Sequence, residues 1–503
     1  MNRVIFLLAG LLMVNACIPS TGQAGDPPAA ARAFCSTDPV VQKALHLLDS
    51  GKFKQAELLL APSTTHPSPQ ALQDRAETLE IIRRIRIEYS LDAATLLAKV
   101  RKSIPDATAK EVNRWARESH SRSRIIDGTG LFFRREPQNI FLFSQEAADR
   151  RAKAGNAPAE EPWKLTDHLR AVIEEADKSK KVEVLPVHHK VTHTLTIPPN
   201  TPGLKTGSVV RVWLPFPQEY RQQRQINLLG ASPEPHLVAP DGSGTDARGA
   251  AAQRSVYFET RVTNPAEALE FKEVFEYSSF AYHPNLVDSE VQAIPSGWQG
   301  AFLGERLPHI AFTPAIRRQV AKIIEGETNP LVKARKIFRW VSANVPWNAE
   351  DEYCIIPSLA VKGFTARRGD CGVQNTVFIT MCRIAGVPAR WQSGFETKPT
   401  SSWGMHDWAE IYIAPWGWLP ADASYGVQKS NDPRIADLYC GHQDSYRLIV
   451  NLDWGRELFP PKESLRSEPA DFQRGEVEVD GKNLYFNLWD TRTEIDRSNP
   501  PGR

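Results

Sequence analysis

The chain of 503 residues is 41% hydrophobic and 24% charged, which is enough to form about three domains with hydrophobic cores of their own. Its 61 Lys and Arg residues nearly balance its 59 Asp and Glu residues, for a formal net charge of +2. This balance argues against nucleic acid or a strongly acidic partner. No group of cysteines and histidines has the spacing of a zinc site, so we predict neither a metal nor a cofactor.

The N-terminal residues predict export. A short positive start precedes the apolar stretch Val4–Val14, which is too short to span a bilayer. The residues Val14–Cys17 resemble a bacterial lipobox, in which Cys17 becomes the lipidated first residue of a membrane-anchored lipoprotein. Gly22–Ala24 is an ordinary signal-peptidase alternative, which would release a soluble periplasmic or secreted protein. We therefore predict a lipoprotein signal peptide over residues 1–17 and localisation in the bacterial cell envelope.

The next segments are predicted to be a tether and a helical region. Residues 18–34 are rich in Pro, Ala and Gly, which is typical of a flexible tether. Residues 35–181 are predicted to be mainly helical, with helices over Val41–Leu60 and Ala71–Glu118. The pair Asp127-Gly128 between two short apolar runs predicts a two-residue hairpin turn.

The pattern then changes to strands. Residues 182–285 show period-two alternation, for example over Val191–Ile197, and this predicts a β-sandwich. Residues 441–503 are predicted to form a C-terminal β extension that adds strands to the domain before it. Three histidines near the first strand lack supporting carboxylates, so we interpret them as surface residues and not as metal ligands: His188, His189 and His193.

The chemistry of the chain is concentrated around Cys371. The residues after it recur at helical spacing as far as Ala385, with Asp370 as the predicted N-cap and Gly386 followed by Pro388 as the stop. Cys371 is therefore predicted to begin a helix. At that position the helix dipole and the unpaired backbone N–H groups favour a thiolate and can bind an oxyanion.

Three strands are predicted after this helix, over Ala389–Phe395, His406–Ala414 and Trp418–Ala421. Antiparallel pairing of the second and third strands would bring His406 close to Asp422. His406 could then take the thiol proton while Asp422 fixes the tautomer of the imidazole. The order of thiol, imidazole and carboxylate predicts acyl-transfer chemistry.

These residues also carry a resemblance. The run Asn329–Gly426 resembles the core of the transglutaminase-like superfamily, whose members are relatives of papain-type cysteine proteases. Together with the N-terminal residues, it resembles the bacterial members that are exported as lipoproteins. The resemblance implies an α+β fold, with a papain-like transglutaminase core over residues 300–440 that follows the β-sandwich and the N-terminal helical region. The matching motifs are Ala334–Val341, Arg368–Gly372, Ala385–Arg390, His406-Asp407-Trp408 with Glu410, and Gly417–Asp422.

Carried over residue by residue, the catalytic cysteine, histidine and aspartate of the family fall on Cys371, His406 and Asp422. The chain departs from the family at Asp407, where a small or apolar residue is common. Because neighbouring residues of a strand face opposite sides, we expect Asp407 to face away from His406 and to leave the chemistry unchanged.

Other residues around the site are weaker candidates. Trp347 and Gln374 could each supply a second oxyanion donor, but a core aromatic and a packing residue are equally good interpretations. Four tryptophans could line a groove for a peptide or a glycan, or could pack in the core: Trp403, Trp408, Trp416 and Trp418.

The remaining cysteines leave alternatives open. Cys382 lies within the predicted nucleophile helix and is expected in the core. Cys354 and Cys440 flank the catalytic core and could form a disulfide in an oxidising compartment.

The sequence thus predicts an exported cysteine-dependent amidase or peptidase that acts on a protein or peptide substrate through a thioester. Protein cross-linking is the alternative, because both reactions use the same triad and differ only in what resolves the thioester. A non-catalytic scaffold that binds the cell envelope is the third hypothesis. The sequence does not predict the oligomeric state.

Overall fold

The computed structural model describes residues 33–61, 67–156, 161–241, 253–294, 302–400, 404–453 and 455–498. The predicted signal peptide with Cys17, most of the tether, and Trp403 lie outside the described residues. The fold is α+β, as predicted.

The N-terminal region is a group of helices around a small sheet. Its helices are α1 (Pro39–Asp49), α2 (Phe53–Leu60), α3 (Pro69–Glu88), α4 (Ala93–Arg101), α5 (Ala109–Glu118), α6 (Glu136–Phe143), α7 (Gln145–Lys153) and α8 (Leu165–Ser179). The sheet has the order β1 (Tyr89–Leu91), β3 (Thr129–Phe133), β2 (Ser123–Ile126). The predicted hairpin is confirmed, since Ile126 pairs with Thr129 across the turn. The predicted helix Ala71–Glu118 is interrupted, because Tyr89–Leu91 pairs with β3 and Asp92 caps a new helix.

Six strands follow in the part of the chain predicted as a β-sandwich. They are β4 (Glu183–Ile197), β5 (Val209–Pro215), β6 (Gln223–Ser232), β7 (Leu237–Val238), β8 (Ser255–Arg261) and β9 (Leu269–Tyr282). Alternate residues of β4, β5 and β9 are buried in one apolar cluster, as the period of a strand requires.

The core that follows combines helices with an antiparallel sheet. Its helices are α9 (Pro314–Ile324), α10 (Pro330–Asn344), α11 (Leu359–Ala366), α12 (Cys371–Ile384) and α13 (Pro433–Ala436). Its strands β10 (Ala389–Glu396), β11 (Gly404–Ile413), β12 (Gly417–Ala421) and β13 (Arg447–Asn451) have the order β12-β11-β10-β13. The predicted helix from Cys371 and the three strands after it are confirmed within one or two residues. Helix α12 is buried along almost its whole length between α10, α11 and the sheet.

The prediction that the C-terminal strands extend the core is correct only for the first of them. Strand β13 joins the core sheet, but β14 (Glu476–Val479), β15 (Lys482–Asn483) and β16 (Asp490–Ser498) join the sandwich. The two sheets of the sandwich have the orders β15-β14-β5-β8-β7 and β16-β4-β9-β6. The chain between β13 and β14 therefore passes from the core sheet to the sandwich. This stretch, the crossing segment, contributes to the candidate site.

The interpretation of the three histidines as surface residues is wrong for two of them. His189 and His193 are buried, and burial lowers their pKa to about 3 and about 4 respectively. The His189 ring stacks on the Tyr277 ring, with 4.6 Å between the ring centroids. Nδ1 of His193 lies 2.7 Å from Thr493 Oγ1. Within the described ranges, no group of three or more His, Cys, Asp or Glu residues could hold a metal ion.

Three cysteines outside the site are buried in apolar clusters. Cys354 and Cys440 are both free and lie in different apolar clusters, so the suggested disulfide is not formed. Cys382 is buried in the core, as predicted.

Of the helices in the described part of the chain, none is long and apolar enough to cross a membrane.

Candidate active site

A cavity of about 520 Å³ opens where the N-terminal region, the core and the crossing segment meet. Cys371, His406 and Asp407 all line it. Arg134 and Arg135 come from the N-terminal region, and the stretch from Asp471 to Gly475 comes from the crossing segment. The site is therefore larger than the catalytic core and depends on residues from both ends of the chain.

The N-terminal region holds the loop that forms one wall of the cavity. Arg122 pairs with Glu350 at 2.6 Å, and the hydroxyl of Tyr89 donates to Asp351 at 3.1 Å. The backbone N–H of Ala349 donates to the side chain of Asn139 at 2.8 Å. These buried contacts fix the loop that carries Asp351, Glu352 and Tyr353 into the cavity wall.

Cys371 occupies the first position of α12. The side chain of Asp370 caps the helix by accepting a hydrogen bond from the N–H of Val373 at 3.1 Å. The Cys371 side chain is half-buried and faces the cavity. The first N–H groups of a helix have no partner within it, so the start of α12 can supply an oxyanion donor.

The structure brings His406 and Asp422 together. Strand β11 pairs with β12 in the register that sets Ala409 opposite Ala421. As a result, Nε2 of His406 lies 2.7 Å from Oδ2 of Asp422. The other oxygen of Asp422 accepts hydrogen bonds from the N–H groups of Ser424 and Tyr425 at 3.1 and 3.0 Å. The carboxylate is thus held on both sides, and Nδ1 of His406 is left for proton transfer.

Arg447 is a site residue that the sequence analysis missed. Its Nη2 lies 3.0 Å from Asp422 Oδ2 and 3.1 Å from Asp444 Oδ2, and its side chain is only 2% exposed. Burial opposes ionisation of Asp422, but His406 and Arg447 outweigh it and hold the pKa of this carboxyl at about 2. Asp422 is therefore ionised at every pH at which the protein would work.

The sulfur of Cys371 contacts Asp407. Sγ donates to Asp407 Oδ2 at 3.4 Å, and among the described residues it makes no hydrogen bond to His406. Asp407 lines the same cavity as His406 and meets the start of α12. The expectation that it leaves the chemistry unchanged stays a prediction, but its carboxylate lies next to the candidate nucleophile.

The expected activation of the thiol by the helix dipole is wrong for this arrangement. Burial, followed by the charges of Asp407 and Asp370, raises the pKa of the Cys371 thiol well above its usual range. A helix N-terminus contributes only a partial positive charge, and two nearby carboxylates with desolvation oppose it.

The two oxyanion candidates have different positions. Trp347 lines the cavity and is 39% exposed. Gln374 does not line it, and its side-chain N–H donates to the carbonyl of Val345 at 2.6 Å. Trp347 thus stays a candidate donor, whereas the amide of Gln374 is engaged in packing.

The candidate groove of tryptophans is not formed by the described residues. Trp408 is buried and donates through Nε1 to Gln392 Oε1 at 2.6 Å. Trp418 packs against Phe302, and Trp416 packs against the core. None of these three lines the cavity.

Gly372 makes the close approach of Tyr353 to Asp407 possible. A Cβ at residue 372 would lie 2.1 Å from the Tyr353 hydroxyl and 2.8 Å from Asp407 Oδ2. We expect Gly372→Ala to lower the free energy of unfolding by about 1–3 kcal/mol, as measured by urea denaturation. Gly230→Ala is the control, because its Cβ would meet nothing within 4 Å. Equal effects of the two changes would contradict the prediction.

The site combines a cysteine at the start of a helix with a His–Asp pair on an antiparallel sheet. Residues 317–423 match the family model of the transglutaminase-like superfamily. The chain therefore carries a domain of that superfamily, and the matched range includes Cys371, His406 and Asp422.

The chain is also similar to a protein of Haemophilus influenzae described as uncharacterized, with 28% identity over 212 residues. This match covers 35% of the chain and 57% of the relative, so the chain spans little more than half of that relative. A solved candidate cysteine protease from Cytophaga hutchinsonii has 14% identity and a TM-score of 0.40, over 63% of this chain and 91% of that one. The periplasmic domain of TgpA from Pseudomonas aeruginosa has 15% identity and a TM-score of 0.25, over 54% and 94% respectively.

Proposed function

We propose that the protein is an exported cysteine-dependent amidase or peptidase that acts on peptide or side-chain amides. The observation that carries this proposal is the common cavity of Cys371 and His406, in which His406 Nε2 lies 2.7 Å from Asp422. A nucleophile, a base and a group that orients the base are the parts that acyl transfer requires.

The reaction follows from these positions. His406 Nδ1 takes the thiol proton of Cys371 as Sγ attacks the amide carbon, and backbone N–H groups at the start of α12 stabilise the oxyanion. The proton then passes from His406 to the leaving amine, and the carbon–nitrogen bond breaks to give a thioester. Water, deprotonated by the same imidazole, resolves the thioester and returns the thiol.

The cavity supports a peptide substrate. Trp347 and Met405 both line it and are 39% and 45% exposed, so its rim offers apolar surface to a bound chain. Exposed apolar groups beside a polar cavity are typical of binding sites. A volume of about 520 Å³ accommodates a few residues of a peptide or one side-chain amide.

The product separates hydrolysis from transfer. The purified protein is incubated with a panel of peptide and glutamine amides, with Cys371→Ala as the control. Free ammonia or new N-termini without cross-links supports the amidase or peptidase proposal, whereas a stable glutamyl-lysine bond supports cross-linking. Binding that survives in both Cys371→Ala and His406→Ala, with no turnover by the wild-type protein, would support a scaffold.

We expect Asp422→Asn to lower kcat/KM by roughly 10²–10⁴-fold. Both oxygens of Asp422 accept hydrogen bonds, from His406 and Arg447 on one side and from backbone N–H groups on the other. Whichever way an Asn is turned, its NH₂ group faces donors and the imidazole loses its orientation. Steady-state kinetics with an active amide substrate measure the effect, and activity within threefold of wild type would contradict it.

We infer export and lipid anchoring from the N-terminal sequence alone, with Cys17 as the lipidated residue. Cys17→Ser is expected to abolish incorporation of labelled palmitate and to move the protein out of the membrane fraction, because a membrane anchor of this kind needs its acyl chains. If cleavage follows Gly22–Ala24 instead, the substitution will change neither measurement.

A further inference from the structure

The hydrogen bond of Cys371 shows a nucleophile that is not yet engaged with its base. Sγ lies 3.4 Å from Asp407 Oδ2 and donates to it, and no hydrogen bond joins it to His406 in the part of the chain that the structure describes. General-base catalysis requires the proton to pass directly to the imidazole. The hydrogen bond to Asp407 must therefore break before the reaction can start.

Asp407 is held firmly against the sulfur. Its Oδ2 also accepts a hydrogen bond from the Tyr353 hydroxyl at 2.8 Å, and its Oδ1 accepts one from Gln473 Nε2 at 2.9 Å. Asn375 ties the two elements together, since its Nδ2 donates to the carbonyls of Cys371 and Asp407 at 3.0 and 2.9 Å. All of these side chains except Cys371 are buried.

A second carboxyl group completes the arrangement. Asp471 is buried, lines the same cavity and is hydrogen-bonded to Asp407. Its Oδ1 accepts hydrogen bonds from Ser393 Oγ at 2.6 Å and from Asn451 Nδ2 at 2.8 Å. Two buried carboxyl groups in contact disfavour each other's ionisation, so we take the pair to share one proton.

We propose that the Asp407–Asp471 pair positions the nucleophile: it holds Cys371 as a thiol hydrogen-bonded to Asp407 in the free protein and releases it to His406 when substrate fills the cavity. The inference rests on the proposed function, since it takes Cys371 as the nucleophile. The proton stays on the sulfur in the held state and passes to His406 Nδ1 after release. Asp407 thus acts on the orientation and ionisation of the thiol and forms no bond to the substrate.

The charges around the sulfur agree with this arrangement. Asp370 on its own turn and Asp407 on β11 act on the charge of the sulfur, and Tyr353 on the loop before α11 donates to Asp407. Other titratable or charged groups line the same cavity: His406, Asp471, Glu352, Arg134, Arg135 and Arg474. Burial and the neighbouring carboxylates raise the pKa of Asp407, and burial raises the pKa of Asp471. The single negative charge that the pair keeps opposes a thiolate 3.4 Å away.

The test measures alkylation of Cys371 by iodoacetamide as a function of pH on the purified full chain, read by peptide mass spectrometry. Asp407→Asn is expected to raise the rate constant at pH 7 about tenfold or more and to move its pH midpoint down, because the opposing charge is gone. Unchanged or slower alkylation in this variant, with an unfolding transition like that of wild type, overturns the proposal.

Asp471→Asn is the second variant and should act in the opposite direction. Without its partner, Asp407 loses the shared proton and carries the full negative charge beside the sulfur. Alkylation is then expected to slow about threefold or more, with a higher pH midpoint. If Asp471→Asn accelerates alkylation as Asp407→Asn does, both changes merely loosen the site and the proposal fails.

His406→Ala distinguishes two states of the free protein: a Cys371 thiol held by Asp407, and a preformed ion pair between a Cys371 thiolate and a His406 imidazolium. Because the sulfur is hydrogen-bonded to Asp407 and, among the described residues, not to His406, this change should alter alkylation less than about threefold. A loss of about tenfold or more would show a preformed thiolate–imidazolium pair and would overturn the proposal. If this alkylation pattern holds but the wild-type protein turns over no amide, the positioning stands and the proposed function fails.

Discussion

We expect Cys371→Ala to lower kcat/KM on an amide substrate by about 10⁴-fold or more, which corresponds to about 5 kcal/mol of transition-state stabilisation. Without the sulfur no thioester can form, and neither His406 nor Asp422 can replace it. Whatever activity is left would come from oxyanion binding by the start of α12 and from orientation of the substrate in the cavity. Steady-state kinetics with the best substrate of the amide panel measure the loss.

Two controls sharpen this prediction. Cys35→Ser changes a half-buried cysteine of the N-terminal region and should leave kcat/KM within about threefold of wild type. The double variant Cys371→Ala with His406→Ala should be no slower than Cys371→Ala alone, because residues that act as a unit are not additive. Activity within tenfold of wild type in Cys371→Ala would show that another group is the nucleophile.

The arrangement of the backbone around the site could be predicted from local signals. Asp370 before a run of apolar residues at helical spacing places Cys371 at a helix start, and a helix N-cap needs only its nearest neighbours. The hairpin of β11 and β12 likewise follows from alternation and a short turn, and its register brings His406 to Asp422. These features depend on residues close together in the sequence.

The environment of the sulfur could not be predicted in this way. Strand alternation predicts only that Asp407 faces away from His406, and the packing of α12 on β11 is needed to show that it meets Cys371. Gln473 and Asp471 reach the site because the chain crosses the core between β13 and β14. The direction in which the pKa of the Cys371 thiol shifts depends on burial and on residues such as Asp407. An argument from the helix dipole alone predicts a lowered pKa, whereas these groups raise it.

Arg447 is the distant residue with the largest expected effect on stability. We expect Arg447→Met to lower the free energy of unfolding at pH 7 by about 3–5 kcal/mol, because it leaves Asp422 and Asp444 buried without the guanidinium that contacts both. Met keeps the apolar contacts of the side chain, which lies over the Tyr425 ring at 4.3 Å. Arg434→Met is the control, since the Arg434 side chain is 57% exposed and its ion pairs contribute at most about 1 kcal/mol.

The pH dependence identifies the cause of this loss. In the wild-type protein the pKa of Asp422 is lowered to about 2, so its ionisation stabilises the fold above about pH 4 and this contribution is lost as the pH falls towards 2. In Arg447→Met the guanidinium no longer opposes the effect of burial on Asp422, whereas His406 still does, so we expect the pKa of Asp422 to lie higher than in the wild-type protein. Less of the stabilising contribution is then present near neutral pH, so the difference between the two proteins should narrow as the pH falls from 7 towards 2, as measured by urea unfolding. A difference that stays constant over this range would show that lost packing, and not the unpaired carboxylates, destabilises the variant.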